Sequence, residues 1–144
     1  MNTIHDIDLK GDDYRSLIEL ASKKCDRFAF VKRRDMMADE KVALKYHNEW
    51  VKDIQSSFIE RKAQSEWPGT QLFGATAYVF YYELNEQTKL FLQSKAHALF
   101  DWVSPLPEDL MFYNGDDIWL AGCSHERFIV TEEYKDFNDL MNSI

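Results

Sequence analysis

The sequence predicts an α+β fold, a mostly antiparallel sheet with a C-terminal hairpin meander packed against about three to four helices. Three observations point there. Tyr14, Leu17, Ile18, Ala21 and Cys25 follow the i, i+3, i+4, i+7, i+11 spacing of one helix face. Residues 75–84 are apolar at both parities, as in a strand covered on both sides or closed on one side by a partner. Beyond residue 108, short apolar runs alternate with turn-forming Asn, Gly, Asp and Ser, which fits a meander better than repeated βαβ units. A chain of 144 residues, 45% of them hydrophobic, is expected to organise one core, a single domain over 1–144.

The elements follow in order. A first helix is predicted over about 13–24, with Asp12 and Asp13 at the end where the helix dipole favours acids. Residues 27–31, Arg-Phe-Ala-Phe-Val, read as a short strand that ends in charge. Between Asp39 and about Gln64 there is neither Gly nor Pro. Val42, Tyr46, Trp50, Ile54 and Phe58 recur every four residues there, joined by Val51 and Ile59, so a long second helix is predicted. Trp67-Pro68-Gly69 stops it.

After the strand at 75–84, Asn85 is the predicted N-cap of a third helix carrying Leu92, Ala96, Leu99 and Val103, widened by Phe91, Phe100 and Trp102 and ended by Pro105 and Pro107. The meander comprises strands near 110–113, 118–121 and 128–130, joined by the turns Asn114-Gly115-Asp116-Asp117 and Ser124-His125-Glu126. A last short helix over 132–144 has Tyr134, Phe137, Leu140 and Met141 as its apolar side. No repeat or low-complexity tract interrupts the pattern.

The formal net charge of −8 is unevenly placed. Residues 1–64 hold 13 basic and 12 acidic side chains, whereas 65–144 hold 4 and 13, together with 15 of the 21 aromatics. The most aromatic half is thus the anionic one, the wrong sign for general nucleic-acid binding. The one basic run, Lys32-Arg33-Arg34, is followed at once by Asp35 and reads as a solvated strand end. Cys25 and Cys123 are too few and too far apart for a disulfide framework or zinc ribbon. The N-terminus shows no secretory pattern and no run is long enough to span a bilayer, so no membrane association and a cytoplasmic location are expected.

Several short motifs occur in a fixed order: Glu66-Trp67-Pro68-Gly69-Thr70, Tyr82-Glu83-Leu84-Asn85-Glu86-Gln87-Thr88, Leu99-Phe100-Asp101-Trp102, Leu106-Pro107-Glu108-Asp109-Leu110, Trp119-Leu120 and Ser124-His125-Glu126. Together with residues 17–22, this set resembles a family of small uncharacterised bacterial proteins often carried under the name stage III sporulation protein AH. The resemblance covers most of the chain. It implies a common fold and a bacterial source, and it implies no activity and no site residues.

Cys123-Ser124-His125-Glu126 is the densest reactive cluster. Read as an enzyme, either Cys123 is a nucleophile with a histidine as base, or Glu126 orients His125. In a regular strand Cys123 and His125 share one face, an arrangement a tight turn would change. Nothing nearby supplies an oxyanion hole or a Gly-x-Ser-x-Gly elbow. A structural turn is the preferred reading, and no catalytic residue is assigned.

His5, His47, His97 and His125 form no short-spaced ligand pair, so no metal site and no cofactor are expected. His47, three residues before Trp50, reads as a core or stacking histidine. Glu108, Asp109, Asp116 and Asp117 flank one hairpin without the spacing of a calcium loop. Trp67, Trp102 and Trp119, with Tyr81, Tyr82 and Tyr113, exceed what a small interior readily takes, so some are expected to line a groove or interface.

The first functional reading is therefore a non-enzymatic acidic interaction protein, of immunity or inhibitor type, bound to a basic protein such as a toxin or nuclease. Its predicted contact residues are Trp67, Trp102, Glu108, Asp109, Tyr113, Asp116, Asp117, Trp119, His125 and Glu126. The second is a small enzyme or ligand-binding domain with an aromatic-lined pocket near Cys123, His125 and Glu126. The third is a homo-oligomer paired across a symmetry axis through the Tyr-rich strand at 77–84.

Overall fold

A computed structural model describes residues 2–5 and 8–144. Its elements in chain order are β1 (Asn2–His5), α1 (Asp12–Lys24), β2 (Arg27–Arg33), α2 (Glu40–Trp50), β3 (Phe58–Gln64), β4 (Glu66–Trp67), β5 (Thr70–Gln71), β6 (Ala77–Glu83), α3 (Glu86–Lys95), β7 (Glu108–Asn114), β8 (Asp117–Cys123), β9 (Phe128–Thr131) and α4 (Phe137–Ser143). Seven strands form one sheet in the order β1-β9-β8-β7-β2-β6-β3, and every neighbouring pair is antiparallel. The fold is α+β, with the C-terminal meander where the turn residues place it.

Alternation along the strands sorts the core into two layers. Phe28, Phe30, Phe80, Tyr82, Leu110, Phe112, Leu120 and Ile129 face α1 and α3, whose Tyr14, Leu17, Ile18, Phe91 and Leu92 complete that layer with Trp102. Ala29, Val31, Val79, Tyr81, Met111, Tyr113, Ala121 and Cys123 face the other way, where the β4–β5 hairpin supplies Trp67. Gly69, at φ 88°, lets that hairpin turn, and its Cα side sits directly on Phe128 and Val130.

Helix α1 matches its sequence signals. Acids occupy the first turn, Lys23 and Lys24 the last, and Tyr14, Leu17, Ile18 and Ala21 are buried. Helix α3 opens with a reciprocal cap: Asn85 Oδ1 accepts from the Thr88 amide at 3.0 Å, and Thr88 Oγ1 accepts from the Asn85 amide at 2.8 Å.

The long helix expected over 39–64 is not formed. Helix α2 stops at Trp50, Lys52–Ser57 is a 3-10 segment, and 58–64 is strand β3. Of the residues of α2 only His47 is buried, so further helix would have added little contact. The extended form instead occupies the free edge of β6, in register from Glu60 opposite Tyr81 to Gln64 opposite Ala77. Val51 and Ile54 are buried in the intervening turn.

The third helix also ends early, at Lys95. The backbone beyond it is used by the segment before α1: the Gly11 amide donates to the His97 carbonyl at 2.8 Å and the Leu99 amide to the Leu9 carbonyl at 2.9 Å. A helix through residue 99 could not make those bonds. The last helix begins at Phe137, capped by the Asp136 side chain on the Asp139 amide, and Phe137 itself is exposed. Strand β1, four residues with only Ile4 buried, has no sequence signal. Strand β6 lies between β2 and β3, so its backbone is fully paired and cannot join a second copy across a symmetry axis. No helix among the described residues is long and apolar enough to cross a membrane.

Candidate functional site

Strand β7 determines how the expected site residues are grouped. Glu108 and Asp109 open it and Asn114 closes it, and at about 3.3 Å per residue its ends lie about 20 Å apart. The carboxylates Glu108, Asp109, Asp116 and Asp117, neighbours of one hairpin in sequence, are therefore divided between two ends of the sheet. Among the described residues no three His, Cys, Asp or Glu side chains converge to hold a metal ion.

At one end lies the β7–β8 turn. Gly115, at φ 61°, makes the two-residue reversal, and its amide donates to Asp26 Oδ1 at 2.9 Å. Because Arg27 pairs with both Tyr113 and Glu83, and Leu120 with Thr131, the carboxylates of Asp26, Glu83, Asp116, Asp117, Glu132 and Glu133 gather on this end. None of Glu83, Asp116, Asp117 and Glu132 has an ion-pair partner among the described residues, and all four are exposed. A cavity of about 400 Å³ opens beside Asp117 and Glu132, lined also by Lys24, Asn114, Ile118, Trp119 and Glu133. The Trp119 indole donates to Glu133 Oε2 at 2.6 Å, and Glu133 Oε1 receives Lys24 Nζ at 2.5 Å. A neighbouring groove of about 440 Å³ runs past Trp67, Tyr81, Tyr113 and Asp116.

At the other end, β8 stops at Cys123 and residues 124–127 turn. The turn separates Cys123 from His125. Cys123 belongs to the layer under the hairpin, and burial pushes its thiol pKa up, against thiolate formation. His125 is about half exposed and faces Glu108 at 3.4 Å (Nε2 to Oε1) and Asp109 at 3.7 Å (Nδ1 to Oδ1), so its carboxylate neighbours are these two rather than Glu126. Asp109 is buried at φ 53°, and its Oδ1 accepts from the Ser124 amide at 3.0 Å. Burial raises its carboxyl pKa, opposed by that amide and by His125. The cleft in front, about 500 Å³, is lined by Lys32, Arg33, Met36, Val42, Tyr46, Ser104, Glu108 and His125 among others.

The expected contact residues thus have different fates. Asp116, Asp117 and Trp119 meet at the acidic end, with Tyr113 and Trp67 in the adjoining groove. Glu108 and His125 line the opposite cleft. Trp102 is wholly buried beneath α1, donating to Tyr14, and can contact no partner. Two residues of the basic run are paired locally, Arg33 binding Asp35 through two bonds of 2.7 and 3.1 Å and Arg34 binding Glu40 at 2.8 Å. Sequence reasoning misses Asp26, Glu83 and Glu132, because only strand register brings them to the turn, and it assigns Met36, Val42 and Tyr46 to no site. No family model, no curated protein and no solved structure matches this chain.

Proposed function

We propose that the chain is a non-enzymatic binding protein of immunity or inhibitor type, whose acidic end around the β7–β8 turn docks on a basic protein surface such as that of a toxin or nuclease. The observation that carries this reading is Asp117 and Glu132, exposed and without ion-pair partners among the described residues, lining one cavity with Trp119, while Asp116 and Glu83 stand exposed at the same end of the sheet. Unneutralised carboxylates steer a cationic surface toward this end of the sheet. The test compares the native chain with an Asp116→Lys, Asp117→Lys, Glu132→Lys variant as bait in the host extract. A basic protein held by the native chain, released by salt and lost from the variant, supports the reading. Equal retention by both, or binding indifferent to salt, sinks it.

A second reading has its own observation. The cleft at His125 has the volume of a small-molecule site, and its lining joins the exposed Met36, Val42 and Tyr46 to Lys32, Arg33, Asp39, Glu108 and His125. A thermal-shift screen of small cationic and zwitterionic compounds tests it. Hits that disappear in His125→Ala and Glu108→Gln, both still folded, would favour this site over the acidic end.

A further inference from the structure

Strand β3 is an edge: it pairs with β6 on one side and with no described strand on the other. Its outward backbone groups between Glu60 and Ala63 have no strand partner, and Arg61, Lys62 and Ala63 are exposed. Such an edge is a template for another strand. Charged residues usually protect an edge, so the pattern of charge decides whether this one is closed or selective.

We propose that the β3 edge pairs with a second copy of this chain, antiparallel and centred on Arg61, to make one continuous sheet across a two-fold axis. Backbone groups point outward at every second residue, so a strand pairing with itself must centre on a residue. The regular part of β3 offers Glu60, Arg61, Lys62 or Ala63. Centring on Glu60 or on Lys62 faces that charge with its own copy and brings no opposite charges together, and centring on Ala63 brings none together either. Centring on Arg61 also faces that residue with its copy, but it alone sets Glu60 opposite Lys62 of the second copy, and Lys62 opposite its Glu60.

Glu60 and Lys62 already pair within the strand at 3.3 Å, so the four side chains form an alternating square on one face. On the other face each Arg61 lies over the Tyr78 ring of its own copy, 4.4 Å from the centroid, and the Tyr78 hydroxyl binds Glu40. That holds the two guanidinium groups away from each other.

The experiment is sedimentation equilibrium on the full chain and on two charge-reversal variants, Glu60→Lys and Lys62→Glu, with far-UV circular dichroism to confirm that each folds. The expected result is a dimer for the native chain, and dimerisation weakened about tenfold or more in each variant alone, where like charges face. Mixing the two variants restores dimerisation, because one variant then presents lysine at both positions and the other glutamate at both, so every facing pair across the axis is of opposite sign. A native chain that stays monomeric, variants that dimerise unchanged, or a mixture that fails to recover would each overturn the proposal.

Discussion

The Trp102 indole donates to the Tyr14 hydroxyl at 3.0 Å, and that hydroxyl donates onward to the Leu92 carbonyl at 2.5 Å. This relay ties α1, α3 and the segment before β7 together inside the larger core layer. Both ring systems are fully buried, and burial raises the Tyr14 pKa above its ordinary value. Tyr14→Phe keeps the ring but strands a buried indole N–H and a buried carbonyl. The expected loss is about 2–4 kcal/mol in urea denaturation; a loss below about 0.5 kcal/mol would mean that the relay carries little.

His47 is the only buried residue of α2, stacked on Phe80 at 3.9 Å between ring centroids, and its Nε2 has no partner among the described residues. Burial, helped by Lys32, lowers its pKa from the ordinary 6.5 to about 4. The folded state therefore refuses a proton that the unfolded chain accepts. Stability is full above pH 6.5 and falls as pH drops toward 4, by about 2 kcal/mol at pH 5 from this group. His47→Phe should keep the stack and remove that part of the slope between about pH 7 and pH 5.

Asp109 combines a left-handed backbone with a buried carboxyl that accepts the Ser124 amide. Burial raises its folded pKa, so at neutral pH its charge opposes folding, and that cost lessens as pH falls through the folded value. Asparagine tolerates the same φ and keeps an acceptor without the charge. Asp109→Asn is expected to be as stable as the native chain or more so at neutral pH. Asp109→Ala loses the acceptor and strains the backbone, costing about 1–3 kcal/mol. Equal melting temperatures for the two variants would remove this account.

A side chain at Gly69 would be strained at φ 88° and would bring Cβ to 3.1 Å from Phe128 Cε2 and 3.2 Å from Val130 Cγ2. Gly69→Ala should loosen the β4–β5 hairpin without unfolding the sheet. Amide exchange should rise across residues 65–72 while β7 and β8 stay protected.

The acidic end bears its charges at little structural expense. Asp116 and Asp117 are exposed and make no ion pair among the described residues. Reversing both to Lys should move the stability by no more than about 0.5 kcal/mol. A larger drop would show that the carboxylates support the turn, and loss of binding in the variant would then say nothing about contact.

Much of the architecture is legible where one segment's pattern and its packing agree. Helix α1 carries its apolar face and terminal charges in sequence, and the meander carries its turn residues. Strand β3 is not legible, because most of Glu60, Arg61, Lys62, Ala63 and Gln64 are good helix formers, and only the empty edge of β6 makes them extended. The acidic end is half legible: Asp116 and Asp117 mark a turn in any reading, but register alone adds Asp26, Glu83 and Glu132. The turn after Cys123 likewise takes His125 to Glu108 and Asp109, partners on the far side of the β7–β8 hairpin that alternation along a strand could not reveal.

Strand β2 enters the sheet between β6 and β7, and among the described strands β1 pairs with β9 alone. During synthesis, the apolar β2 strand therefore emerges well before either neighbour exists, and β1 waits for nearly the whole chain. Pairings between such distant segments close large loops, which slows folding and prolongs the exposure of an unpaired Phe-Ala-Phe-Val edge. Assembly of the sheet is thus expected to be a late event, completed when β7, β8 and β9 arrive together, and fragments that end before β7 should remain unfolded and prone to aggregate.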